Sequence, residues 1–249
     1  MDLLAVLVGV TGGLGAVVFR GFIHAVHNLF FNNLLPHAPS DYFIILLPVI
    51  GGLIVGPVVC CLAPEARGDG IPTVMEALQR RGGQIRKRVG FIIICASAVT
   101  VGSGGSAGRE GPIVQIGASF GSLIGQAAKL GPREMRLLTA CGVAAGIAGT
   151  FNAPMGGAVF SMEVISRRFS SYDAVPILLS SVVGKAVASE LINPVPDFIN
   201  PIFVFNSSDL ALCFLLGPLF GFLAFLWVKS YYIAEDFFGW LPMPEKLNP

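Results

Sequence analysis

Apolar residues run along this chain in long blocks, and polar residues gather in the short breaks between them. Seven blocks stand out: Leu3–Phe19, Tyr42–Ala63, Val89–Val101, Ile113–Ala128, Leu137–Met162, Ala174–Ile192 and Leu210–Val228. A helix needs about 20 apolar residues to cross the hydrocarbon core of a bilayer. Several blocks are shorter, and others are cut by glycine or proline, as at Pro48, Gly51, Gly52, Gly56 and Pro57. The pattern predicts tilted or broken helices whose ends stop inside a membrane. Free helix ends are tolerated there only against protein or a polar cavity, an arrangement that transporters and channels use.

Composition agrees. Of 249 residues, 54% are hydrophobic and 12% charged, about half the charge of an ordinary soluble domain. Soluble and disordered classes are excluded, and the fold class expected is an all-α polytopic membrane protein, multi-pass in the cell membrane. The 31 glycines suit close helix packing, and small-xxx-small spacing recurs at Gly9/Gly13, Gly52/Gly56, Gly117/Gly121/Gly125, Gly142/Gly146 and Gly217/Gly221. A net charge of +1 gives no field to recruit nucleic acid. Arg80, Arg81, Arg86, Lys87 and Arg88 fall in one short break, which the positive-inside rule assigns to the cytoplasm. Cys60, Cys61, Cys95, Cys141 and Cys213 all lie in apolar runs and are expected as buried free thiols. His24, His27 and His37 are joined by no further ligand group, so no metal site and no cofactor is expected. Met1 is followed by Asp2 and then an apolar run, which is not the pattern of a separable signal peptide.

Charges inside apolar sequence are costly and mark candidate chemistry. Three places qualify: Gly68-Asp69-Gly70-Ile71-Pro72; Gly102 to Pro112, containing Arg109 and Glu110; and Phe151-Asn152-Ala153-Pro154-Met155-Gly156-Gly157, which leads into a helix carrying Glu163. The first two are glycine-rich turns with proline near the start of a helix, a position proline favours. Helix starts expose unpaired N–H groups and the positive end of the dipole. Two such starts aimed at one point hold an anion without a full cation, and conduction needs that weak hold. Gly104-Gly105-Ser106-Ala107-Gly108 also fits a hydrolase nucleophile elbow, but every histidine lies upstream and the flanks are membrane-like, so an enzyme is not expected. The loose dinucleotide pattern from Gly102 lacks its strand–helix–strand context.

The run from Gly102 to Pro112, with Gly108-Arg109-Glu110-Gly111-Pro112 at its end, resembles the signature of the CLC family of chloride channels and chloride/proton antiporters. Gly68-Asp69-Gly70-Ile71-Pro72 resembles the family's G-S-G-I-P element, and Phe151-Asn152-Ala153-Pro154 another shared stretch. The resemblance implies an inverted-repeat fold of broken, tilted helices, a homodimer with one chloride pathway per subunit, and helix starts pointing at the anion. It implies that Glu110 is the gating glutamate. Backbone N–H groups of Arg109, Glu110 and Gly111 would hold an outer anion, and those of Gly70 and Ile71 a central one.

Two departures shape the expectation. Asp69 stands where the family's element usually has serine, so an ionised side chain there would repel chloride unless turned away or protonated. Glu163 matches the first of two glutamates near its helix end, while Val164 takes the place of the second, which relays protons in exchangers. Voltage-gated, channel-type passive conduction is therefore expected. Proton-coupled exchange is the alternative, with Asp69 and Glu163 as a possible proton path. The family's G-x-F-x-P element and late tyrosine are not found in residues 113–249. Leu7-Val8-Gly9, Gly13, Ala16 and Phe19 are echoed at a constant offset by Leu215-Leu216-Gly217, Gly221, Ala224 and Trp227. The division expected is a first repeat over 1–200 and the first helix of a second, inverted repeat over 205–249. No soluble regulatory domain is expected, and the fold is incomplete at its C-terminus. A truncated chain or a split subunit needing a second half would then not conduct alone.

Overall fold

The computed structural model describes residues 1–37, 41–64, 70–167, 170–192 and 207–240. Among these the regular structure is entirely helical: α1 (Asp2–His27), α2 (Leu46–Leu62), α3 (Gly70–Arg80), α4 (Lys87–Gly102), α5 (Glu110–Ala127), α6 (Pro132–Phe151), α7 (Pro154–Phe160), α8 (Ser171–Leu191) and α9 (Ser207–Trp240). Short π-helical turns extend α1 over Asn28–Leu34 and α7 over Ser161–Ser166. The chain forms two compact units, Met1–Pro194 and Val195–Asn248, and the described residues of the second are those of α9. Among the described residues, four helical stretches are long and apolar enough to cross a membrane: Asp2–Leu34, Tyr42–Leu62, Ser171–Leu191 and Asp209–Phe237.

Polar punctuation sets the boundaries. Helix α6 starts at Gly131-Pro132, where the Glu134 carboxylate accepts from the Gly131 N–H at 3.0 Å. It stops at Asn152, which adopts the left-handed conformation at φ 55°, and Pro154 then opens the next helix. The block Leu137–Met162, read in the sequence as one run, is thus two helices. Helix α3 ends on Gly82 and Gly83, both at positive φ, with the Gly83 N–H returning to the Ala77 carbonyl at 2.9 Å.

At the centre of the first unit, α5 and α6 lie antiparallel with their backbones in contact. A β-carbon on Gly117 would run into the Gly142 carbonyl, one on Gly142 into the Gly117 carbonyl, and one on Gly121 into the Leu138 carbonyl. Lipid tails are as apolar as leucine, so only such close van der Waals packing drives helices together in a bilayer. Helix α1 is held the same way, Gly12 against Ala145 and Gly13 against Gly184, and runs parallel to α6 and α8. The small-residue reading therefore holds for α1, α5 and α6. It does not hold for Gly52, whose missing β-carbon faces open space; its neighbour Gly51 packs on Ser103 instead.

Helix α2 turns Val49, Ile50, Leu53 and Ile54 outward, a face suited to lipid. The same outward placement corrects the reading of the cysteines. Only Cys141 is buried; Cys61, Cys95 and Cys213 are exposed and Cys60 half-exposed. An apolar block marks a residue as lipid-compatible, not as internal.

Candidate anion-binding site

Helices α3 and α5 begin side by side. The Gly70 Cα sits so close to the first turn of α5 that a β-carbon there would strike the Gly111 carbonyl, and it would lie 3.0 Å from the Gln115 Oε1. Further along, Val74 and Leu78 of α3 pack in one cluster with Val114 and Ala118 of α5. The matched turns make the two helices parallel, with both starts at one level. In α5 the first backbone bond runs from the Ile113 N–H to the Arg109 carbonyl at 3.1 Å. The N–H groups of Glu110 and Gly111 thus have no acceptor within the helix, and Pro112 has no N–H to offer.

The third start comes to the same end of the bundle, because α6 is antiparallel to α5 and delivers Phe151 beside it. The Arg109 guanidinium lies over the Phe151 ring, 5.2 Å from its centroid, three residues before Pro154 opens α7. Ser181 of α8 fastens this corner: its hydroxyl donates to the Pro154 carbonyl at 2.6 Å and reaches the Ala144 carbonyl at 3.4 Å. The first turns of α3, α5 and α7 contain no lysine or arginine, so the positive potential there comes from backbone dipoles.

The loop ahead of α5 is braced by its own backbone, the Gly105 N–H to the Thr100 carbonyl at 2.9 Å and the Ala107 N–H to the Gly105 carbonyl at 2.8 Å. The Glu110 carboxylate folds back against Gly108, where any side chain would collide with it. Glu110 is exposed and Arg109 half-buried. Position within a polar break does not report which side of the helix start faces the packed interior.

Five of the sequence-derived residues thus gather at one place: Gly70, Ile71, Arg109, Glu110 and Gly111. Asp69, with Gly68 before it, lies outside the described residues. Glu163 lies elsewhere, exposed on the π-helical turn, whose Ser161 hydroxyl donates to the Ala140 carbonyl at 2.6 Å. That is beside the first half of α6, away from Glu110. Val164 is half-buried against the cluster of Val74, Val114 and Ile165. One contributor was not singled out in the sequence: Gln115 is 3% exposed and sits at the meeting of α3 and α5. An amide one turn after Glu110-Gly111-Pro112 was the available signal for it. Phe151 opens the third candidate stretch, but its support of Arg109 is a contact across the fold.

Among the described residues no three His, Cys, Asp or Glu side chains gather as metal ligands; His27 stacks on Phe31 at 4.5 Å between ring centroids. The family model described as voltage gated chloride channel matches residues 51–249. An uncharacterized protein of Methanocaldococcus jannaschii is 30% identical over 247 residues, covering 97% of this chain and 57% of the relative. The H(+)/Cl(-) exchange transporter ClcA of Citrobacter koseri is 31% identical over 247 residues, covering 95% and 52%. The crystal structure of a slow cyanobacterial Cl-/H+ antiporter aligns with a TM-score of 0.83 at 25% identity, over 97% of this chain and 58% of the other. The chain therefore spans about half the length of the curated relatives it matches. With residues 51–249 matched by the family model, and with an all-helical fold shared with that antiporter, this chain is a member of the CLC family of voltage gated chloride channels and chloride/proton antiporters.

Proposed function

We propose that this chain contributes the first side of a chloride pathway across the membrane. The observation that carries the reading is the meeting of the α3 and α5 starts, Gly70 against Gly111, with the Glu110 carboxylate at the same helix end. Chloride held there meets backbone N–H dipoles, which gives favourable but weak binding. The carboxylate of Glu110 competes for the same N–H groups. Once protonated or displaced it ceases to compete, and the anion takes its place. Gly70 and Ile71 serve the central position, and Arg109, Glu110 and Gly111 the outer one. Asp69 tunes selectivity if its side chain faces the anion; Asp69→Ser with unchanged flux and selectivity excludes that role.

Two modes of transport remain distinct. Val164 cannot carry a proton and supports passive, glutamate-gated conduction. The exchange named for the Citrobacter koseri relative and for the aligned cyanobacterial antiporter supports proton-coupled exchange. Chloride flux recorded together with pH, on the complete reading frame in liposomes, separates them: proton movement against its gradient means exchange, and chloride flux without it means conduction. No flux of either kind removes the proposal. The working unit we propose is a homodimer in the cell membrane with no cofactor, acting as a transporter rather than an enzyme.

A further inference from the structure

The opposite end of the α5/α6 pair carries a second constellation. The turn after α3 lies on the first two turns of α6, Gly82 near Pro132 and Gly83 near Arg136, and the Thr139 hydroxyl donates to the Gly83 carbonyl at 2.9 Å. The π-helical turn after α7 returns to the same place. Between them opens a cavity of about 510 Å³ lined by Gln79, Arg133, Arg136, Ser166, Arg167 and Asp173, among others. That volume falls within the range of small-molecule sites, about 300–1,000 Å³.

Three guanidinium groups from two separate elements face this one space, against a single carboxylate among its described lining residues. Arg133 is steadied over the Tyr172 ring at 5.2 Å. The Arg136 Nε is buried and has no hydrogen-bond partner. Buried donors are nearly always paired, so an orphan one calls for an acceptor that the chain itself does not supply. A guanidinium presents its N–H groups as a planar fork that matches two oxygens of one phosphate. Ser166 and Gln79 add neutral donors around it. Chloride is a single atom with no oxygen pair to offer a fork, and it would be held too tightly for passage by three full charges. Its α6 arginines, those of the cavity, also lie about 22–27 Å along the helix from Phe151, at about 1.5 Å per residue.

We propose that this cavity is a binding site for a phosphate monoester group, seated on Arg133, Arg136 and Arg167, and separate from the chloride pathway. The same chemistry is offered by a lipid headgroup at the membrane surface and by a soluble phosphate.

The test uses the full chain in nanodiscs of phosphatidylcholine, with thermal unfolding followed by circular dichroism. One arm titrates inorganic phosphate, and the other includes phosphatidic acid in the disc. A ligand that binds only the folded state raises the melting temperature with its concentration. At least one probe is expected to do so, and which one does identifies the source: phosphatidic acid alone means a headgroup, inorganic phosphate alone a soluble ligand. The double variant R133Q/R167Q removes two exposed forks without opening the core and is expected to need at least about tenfold more ligand. R136K keeps the charge and loses the Nε fork, and is expected to weaken binding in the same direction. R80Q, at the same basic end but outside the cavity, is expected to titrate like the wild type. Equal losses in R80Q and in the double variant would mean a diffuse basic surface and overturn the proposal. So would a wild-type response retained by the double variant, or the absence of a response to both probes.

Discussion

At one end of the α5/α6 pair, three helices begin on glycine and proline, and their first turns carry no lysine or arginine. At the other end α3 closes on Arg80, α4 opens on Lys87 and Arg88, and Arg133, Arg136 and Arg167 share a cavity. Both ends attract anions, by different means. A helix start offers about half an elementary charge spread over several N–H groups, so it releases what it binds. A guanidinium cluster offers whole charges in a fixed geometry and retains a multivalent anion. On the two proposals above, one fold would separate passage from retention by placing backbone dipoles at one end and side-chain cations at the other. The cations also accord with a cytoplasmic basic end under the positive-inside rule.

The comparison is broken most severely at Gly70. Alanine there sets a methyl group against the Gly111 carbonyl, and backbone on both sides must move, at a cost of about 1–3 kcal/mol. Because the displaced atoms belong to the two starts that would hold the anion, Gly70→Ala is expected to lower chloride affinity about tenfold or more, measured by calorimetric titration of the complete protein. Gly52→Ala, at a position facing open space, supplies the control and is expected to bind as the wild type does. Equal affinity in both variants would show that the meeting of α3 and α5 does not build the site.

Glu110 sharpens the comparison next. Glu110→Gln keeps the shape and removes the competing charge, so chloride flux at neutral pH is expected to rise several-fold, up to about tenfold. The double variant R133Q/R167Q at the basic end is expected to keep the wild-type flux. A Glu110→Gln protein whose flux equals that of the wild type would assign the gate to another group.

The starts of α3, α5 and α7 were legible because proline and glycine act locally. Pro72, Pro112 and Pro154 each mark the first turn of a helix, whatever surrounds it. The family was legible for the same reason, since its elements are contiguous runs. Ends were harder. Asn152 breaks the apolar block Leu137–Met162 by adopting a left-handed conformation that hydropathy does not register, and α1 continues past Phe19 to His27. The contact of Gly70 with Gly111 joins residues 41 apart, and only packing reveals it. The basic cavity was hidden in the same way. Arg80 to Arg88 form a visible run, whereas Arg136 and Arg167 look like scattered charges until α7 folds back along α6. Burial was the least legible property, because in a membrane protein an apolar face is suited equally to core and to lipid.

The smallest expected effect concerns how the helix start at Glu110 is aimed. Arg109 precedes it directly and rests on the Phe151 ring at 5.2 Å from the centroid. Phe151 also packs beside Ile93 and Ile113, so alanine would confuse a lost ring contact with a lost core side chain. Leucine keeps the apolar bulk and removes only the π face. A cation–π contact of this kind contributes roughly 0.5–1 kcal/mol, so Phe151→Leu is expected to shift chloride affinity by about two- to fivefold while the melting temperature stays near the wild-type value. A fall in melting temperature with unchanged affinity would assign Phe151 to packing alone. The aim of the helix start would then be independent of this ring contact.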